Sequence, residues 1–340
     1  MSEQKPPVAL KPKDYASDQE VRWCPGCGDY AILKGMQMML AEIAAPKEKT
    51  VFISGIGCAA RFPYYMDTYG FHTIHGRAGA VATGVKLANP ELDIWVVGGD
   101  GDSLSIGGNH LLHLLRRNPD LQYLLFNNEI YGLTKGQYSP TSRTGSRTPS
   151  SPWGSVEHPL NAVVFALGAG ARFVARAGDV QIKHLVGVLK RARAHKGTGF
   201  VEIIQNCIVY NDGVFGHFMD KAVAADAQIL VEHGQPLTFG KEGEKALHFN
   251  PQRMALEVIR PGEDGHGEDD VLIHDQTNPV LAGLLAGMEA PEFPVAMGVI
   301  YDNPAPTYDA EITAAMTQAT ATPGDFDALL RSGHTWTVEE

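Results

Sequence analysis

Four cysteines carry the most restrictive chemistry in the chain. Cys24 and Cys27 stand in Trp-Cys-Pro-Gly-Cys-Gly-Asp-Tyr (residues 23–30), Cys58 ends Gly-Ile-Gly-Cys (55–58), and Cys207 follows FVEIIQN (200–206). A thioredoxin-like redox pair requires a strand before its C-x-x-C, and no strand pattern precedes Trp23. A zinc site more typically shows two C-x-x-C knuckles. Four thiolates with one close pair, the others at turns that follow strands, suit a single 4Fe–4S cluster. On the cysteines alone, zinc and unrelated thiols stay open.

A second constellation is Gly99-Asp100-Gly101, then twenty-five residues, then Asn127-Asn128. The first follows the apolar run IWVVG and precedes a helical pattern; the second follows LQYLLF. Both fall at the carboxyl edge of a parallel sheet, where doubly wound folds bind ligands. Glycines let backbone amides approach phosphate oxygens, and a helix N-terminus presents more of them. One carboxylate and one amide oxygen suit Mg²⁺, which completes its octahedron with phosphate and water. The pairing is the motif of thiamine-diphosphate enzymes. Carried over residue by residue, it makes Asp100, Asn128 and the main-chain oxygen of Ile130 the Mg²⁺ ligands.

The elements that must position these residues follow from periodicity. Ile32, Leu33, Met36, Met39, Leu40 and Ile43 repeat at helical steps. Residues 50–54 read as a buried strand that breaks at a glycine-bearing turn. Helices are expected over 78–87, 104–117, 161–167 and 180–195, and strands over 94–98, 121–126, 172–175 and 200–204. The polar stretch 129–155 is long enough to be a functional loop. This alternation predicts an α/β fold, a doubly wound parallel sheet with helices on both faces. The expected organisation is a tail over 1–20, a domain holding cofactor, metal and cluster over 21–225, and an irregular C-terminal extension over 226–340 that packs on a partner subunit.

Composition excludes other classes. The 340 residues are 44% apolar and include 37 glycines, a globular make-up. Lys plus Arg is 28 against 39 Asp plus Glu, a net charge of −11, so no basic field exists for nucleic acid. No apolar run nears the ~20 residues of a membrane helix. The polar start lacks a signal peptide's apolar stretch, so a cytoplasmic location with reduced thiols is expected. The run Lys190–Lys196 reads as a solvated helix end complementing the dipole, ahead of a docking patch.

WCPGCGDY, GIGC, His75-Gly76-Arg77 followed by AGAVATGVKLA, GDGDSLSIGGNH, NNEIYGLTKGQ, and Cys207 with YNDG downstream together resemble the β subunits of 2-oxoacid:ferredoxin oxidoreductases over about residues 20–220. The resemblance implies Cys24, Cys27, Cys58 and Cys207 as ligands of a 4Fe–4S cluster. It implies thiamine diphosphate contacts from Ile56, Gly57, Cys58, Ala59, His75, Gly101, Asp102, Gly132 and Leu133. It further implies coenzyme A-dependent oxidative decarboxylation of a 2-oxoacid, reversible as carboxylation, with electrons leaving one at a time through the cluster to ferredoxin.

The glutamate that faces the aminopyrimidine in such enzymes has no counterpart here, so the resemblance implies an α subunit that supplies it, in a dimer of αβ units. In this family a basic residue three positions after the third cluster cysteine accompanies 2-oxoglutarate. That position is Arg61, whose guanidinium could pair bidentately with a distal carboxylate. Arg61 and His75 are therefore the candidate catalytic residues. Pyruvate or a branched-chain 2-oxoacid is the alternative substrate, and a non-catalytic iron–sulfur electron-transfer subunit is the alternative of another class.

Overall fold

The computed structural model describes residues 10–321 and 324–339. An eight-stranded sheet organises the chain: β1 (Thr50–Ser54), β2 (Tyr69–His72), β3 (Asp93–Gly99), β4 (Gln122–Asn127), β5 (Phe173–Gly178), β6 (Gly199–Ile204), β7 (Gln228–Val231) and β11 (Val295–Asp302), in the order β2-β1-β3-β4-β6-β5-β11-β7. Strands β1 to β6 are mutually parallel. Apart from the exposed edge strand β2, their side chains alternate between two buried faces. Val51, Ile53, Val96 and Leu125 enter one core with helices α2 (Ala78–Ala88), α4 (Gly108–Arg117), α5 (Ala162–Gly168) and α9 (Pro279–Ala286). Phe52, Trp95, Val97, Phe126 and Ile203 enter the other, against α1 (Asp29–Glu42) and α6 (Ile182–Ala194).

Three expectations are corrected. The helix over 104–117 is two helices, α3 (Asp100–Leu104) and α4, broken at 105–107. The break brings two backbones together: a Cβ on Gly76 would lie 2.6 Å from Gly107 N, and one on Gly107 would lie 2.4 Å from Asp102 O. The tail over 1–20 is not loose throughout. Its residues 1–9 lie outside the described residues, but Tyr15 is fully buried and its hydroxyl donates to Ala45 O at 2.6 Å.

Residues 226–340 are more regular than the weak periodicity implied. Strands β7 and β11 join the main sheet, β11 antiparallel to β5 and β7 parallel to β11. Between them, β8 (Thr238–Phe239), β9 (Lys245–Asn250) and β10 (Ala255–Ile259) form a small antiparallel sheet. Two single-turn helices, α7 (Gly216–Met219) and α8 (Ala224–Ala227), precede β7. The end, α10 (Tyr308–Ala319) and α11 (Phe326–Leu330), lies exposed over most of its described length. Edge strand β2, whose four residues are all exposed, has no sequence signal comparable to the buried runs. Among the described residues no helix is long and apolar enough to cross a membrane.

The basic run over 190–196 forms ion pairs and not a free patch. Lys190 meets Glu42, Arg191 and His195 meet Asp302, Arg193 meets Asp93, and Lys196 meets Asp120.

Candidate active site

The carboxyl ends of β1, β3, β4 and β6 lie side by side and deliver Cys58, Asp100, Asn128 and Cys207 to one edge. Cys58 and Cys207 converge on the turn after β4: a Cβ placed on Gly132 would stand 3.6 Å from both Sγ atoms. Glycine at that position keeps clear the space both thiols face. The Cys24–Cys27 turn joins the same edge through Gly28 N, which donates to Asn206 O at 3.2 Å, and Gln205 Nε2, which donates to Cys27 Sγ at 3.3 Å. Trp23 Nε1 donates to Cys58 O at 2.8 Å.

Burial pushes Cys58 up to about 11 and raises Cys27 and Cys207; Asp29 opposes ionisation of all three, and neighbouring thiols add to this at Cys58 and Cys27. Such a set is stable as neutral thiols or as ligands of a cationic centre that relieves the repulsion. All four cysteines are free. Cys58 and Cys207 face one space and the Cys24–Cys27 turn adjoins the same edge, a spread that suits the ligands of an iron–sulfur cubane better than those of a single ion.

Asp100 opens α3 and is buried, which pushes its carboxyl up to about 6. Ser139 Oγ (2.5 Å) and Thr141 Oγ1 (2.7 Å) both donate to its Oδ2. The long loop over 129–155 thus holds the aspartate, a role its composition alone did not assign. Thr141 Oγ1 also lies 2.9 Å from Asn127 Oδ1; Asn127 Nδ2 donates to Glu202 Oε1 at 2.7 Å, and Arg176 Nε donates to Glu202 Oε2 at 2.6 Å. The result is a buried polar chain from Asp100 to Arg176. Asn128 beside it donates through Nδ2 to Gln205 Oε1 (2.7 Å) and accepts from Ile130 N at Oδ1 (3.2 Å). No hydrogen bond among the described residues lands on the carbonyl oxygen of Ile130, a buried residue. A buried carboxylate, an amide oxygen and an orphan carbonyl at adjacent strand ends fit a hard divalent ion.

Asp102 ties the neighbouring loops together. Its Oδ1 accepts from His75 Nδ1 (2.5 Å), Gly76 N (2.8 Å) and Ile56 N (3.2 Å). Glycine at 55 is required, since a Cβ there would lie 1.9 Å from Asp102 Oδ2. The acceptor fixes Nδ1 of His75 as the donor, leaving Nε2 as the ring nitrogen available to a ligand. Tyr131 packs edge-on to His75 and over Gly101, donating from its hydroxyl to Gly101 O at 2.9 Å. Ile56, Gly57 and Leu133 share with Arg61 a cavity of about 490 Å³, lined also by Arg22, Tyr64 and His72. Arg61 donates to Arg22 O at 3.0 Å and makes no ion pair among the described residues. Ala59 is buried against the core, so only its backbone can meet a ligand.

Sequence spacing thus placed Cys58, Asp100, Asn128 and Cys207 after neighbouring strands, while Arg61 came from the family resemblance. Spacing missed Ser139, Thr141, Asn127, Glu202 and Arg176, which act from behind.

A parallel sheet with candidate metal and diphosphate donors on adjacent strand ends has the layout of the thiamine-diphosphate-enzyme fold. Residues 38–203 match the family model described as thiamine pyrophosphate enzyme, C-terminal TPP binding domain. The chain is 47% identical to the 2-oxoglutarate oxidoreductase subunit KorB of Mycobacterium tuberculosis, over 97% of this chain and 89% of that protein. It is 43% identical to the 2-oxoacid:ferredoxin oxidoreductase subunit beta of Saccharolobus solfataricus, over 59% of this chain and 67% of that one. A solved 2-oxoglutarate:ferredoxin oxidoreductase from Magnetococcus marinus, with 2-oxoglutarate, coenzyme A and succinyl-CoA bound, superposes with a TM-score of 0.77 at 34% identity, covering 96% of this chain and 97% of that one. The chain belongs to the 2-oxoacid:ferredoxin oxidoreductase β-subunit family.

Proposed function

We propose that this chain, with an α subunit, catalyses coenzyme A-dependent oxidative decarboxylation of 2-oxoglutarate to succinyl-CoA and CO₂, its electrons passing through a 4Fe–4S cluster to ferredoxin. The observation that carries this is the single sheet edge on which Cys58 and Cys207 flank Gly132 while Asp100 and Asn128 stand on neighbouring strand ends. The substrate named for the relatives supports the choice of 2-oxoglutarate.

Cys24, Cys27, Cys58 and Cys207 would hold the cluster, and Asp100, Asn128 and Ile130 O would hold Mg²⁺. Ile56, Gly57, Cys58, Ala59, His75, Gly101, Asp102, Gly132 and Leu133 would contact thiamine diphosphate. When bound, thiamine diphosphate supplies the nucleophilic carbon and electron sink that let a 2-oxoacid lose CO₂. This chain's residues provide placement and charge. Asp102 orients His75, Ser139 and Thr141 fix the Asp100 carboxylate, and Arg61 offers the distal carboxylate a guanidinium that forms no ion pair among the described residues, since Glu20 in the same cavity pairs with Arg22.

An exposed apolar face beside the Arg61 cavity, formed by Tyr64, Tyr69, Phe71 and Ile74, supports an α subunit covering this edge. Met316, Phe326, Leu329 and Trp336, exposed near the C-terminus, support a second contact there. A dimer of αβ units in the cytoplasm, where the thiols stay reduced, completes the proposal.

The test is anaerobic, coenzyme A-dependent viologen reduction by the αβ complex on 2-oxoglutarate, pyruvate and 2-oxoisovalerate. Preference for 2-oxoglutarate and no turnover by this chain alone are expected. Preference for pyruvate or the branched acid would overturn the substrate, and turnover by the isolated chain would overturn the shared active site.

A further inference from the structure

The small antiparallel sheet carries a second group of metal-ligating side chains, remote in sequence from the cysteines and from the Asp100 turn. His248 on β9 meets His266 and Asp270 from the acidic turn that follows β10, and the three ligand atoms lie within 4.8 Å of one another. The two imidazole centroids are 4.9 Å apart.

The details favour an ion over a simple ion pair. His248 Nδ1 lies 3.0 Å from Asp270 O. A carbonyl can only accept, so Nδ1 carries the proton and the lone pair of the neutral ring sits on Nε2, the arrangement that prepares a histidine to ligate. Asp270 Oδ2 accepts from Gly267 N at 2.8 Å, which orients the carboxylate. His266 Nδ1 stands 3.8 Å from that oxygen, too far for a hydrogen bond but a separation an intervening ion would occupy. Bonds of about 2.0–2.2 Å place tetrahedral ligand atoms roughly 3.4 Å apart, so small rotations of partly exposed side chains close the set.

The frame is fixed. Gly262 N donates to His266 O at 2.7 Å, and Val271 is buried with Ala246 and Ile259 beneath the sheet. Glu263, Asp264, Glu268 and Asp269 in the same turn add a negative field that attracts a cation.

We propose that His248, His266 and Asp270 form a binding site for a first-row divalent ion, Zn²⁺, which pins the 261–270 turn to the small sheet with water completing the coordination. Two imidazoles, donors of borderline softness, beside one carboxylate favour Zn²⁺ over Mg²⁺ or Ca²⁺, which prefer all-oxygen sets.

The test uses the αβ complex, prepared anaerobically with its cluster loaded and any affinity tag removed, so that the cysteines are not free to take zinc. It is equilibrated with Zn²⁺ and desalted, and its metal content is measured. One zinc per copy of this chain is expected. His266→Ala and Asp270→Asn should each reduce retained zinc to background, with affinity against a chelating dye weakened by at least roughly tenfold. Iron content and 2-oxoacid turnover should stay unchanged in both variants. A wild-type complex that retains no zinc, or a His266→Ala complex that retains as much, overturns the site.

Discussion

Two cavities border the polypeptide that runs from Asn127 to Leu133. The smaller, about 490 Å³, is lined by Ile56, Gly57, Arg61 and Leu133. The larger, about 740 Å³, is lined by Asn127, Glu129, Thr141, Arg143, Arg176 and Glu202. Size favours the second, but charge favours the first. In the larger cavity each arginine already has an acid: Arg143 Nε lies 3.2 Å from Glu129, and Arg176 Nε lies 2.6 Å from Glu202. In the smaller one Arg61 is held only by a carbonyl. A neutralised cation has little left to offer an anionic substrate, whereas Arg61 does. In the proposed function, one side of the turn meets the substrate and the other braces the aspartate that would hold the metal.

The strongest way to break this division is at the thiols. Cys58→Ala removes the sulfur that faces Gly132; viologen reduction should be lost while 2-oxoglutarate still binds, and iron analysis should show an incomplete cluster. A fully active, iron-replete variant would contradict the thiol assignment.

On the bracing side, Arg176→Met strands a buried Glu202 and should cost about 3–5 kcal/mol of stability by denaturant unfolding. The KM for 2-oxoglutarate of the folded remainder should not move. An unaltered stability would mean the pair is not buried in the assembled enzyme.

Thr141→Val takes one of two hydroxyls from Asp100 Oδ2. Because groups behind a metal ligand typically contribute 10–100-fold, apparent Mg²⁺ affinity should fall by roughly that factor, again without a change in substrate preference.

Much of this was legible in the sequence, for reasons specific to each part. Strands β3 and β4 are short runs buried on both faces, and the motifs sit directly at their ends, so TVFIS, IWVVG and LQYLLF placed Cys58, Asp100 and Asn128 on one edge. Cys207 came from the same logic at the end of β6. What stayed hidden depends on distant pairing. Ser139 and Thr141 lie in a loop without periodicity, and their partner Asp100 is about forty residues earlier, a contact no local pattern reports. Arg176 and Glu202 look like surface charges inside strands until β5 and β6 are paired in register. Strands β7 and β11 were obscured because β11 enters the sheet antiparallel, outside the βα alternation that revealed the rest. The break between α3 and α4 arises from Gly76 meeting Gly107, a contact between two loops.

The measurement that bears most directly on the two-cavity account is a paired kinetic comparison in the αβ complex. Arg61→Ala and Arg143→Ala would each be assayed on 2-oxoglutarate and on pyruvate. Loss of a charge-assisted bidentate contact of about 1.5–3 kcal/mol corresponds to roughly a 10–100-fold rise in KM. That rise is expected for Arg61→Ala on 2-oxoglutarate only, with pyruvate nearly unaffected and Arg143→Ala changing neither. Equal effects of Arg61→Ala on both acids, or a selective rise in Arg143→Ala, would place the substrate carboxylate elsewhere and contradict the account.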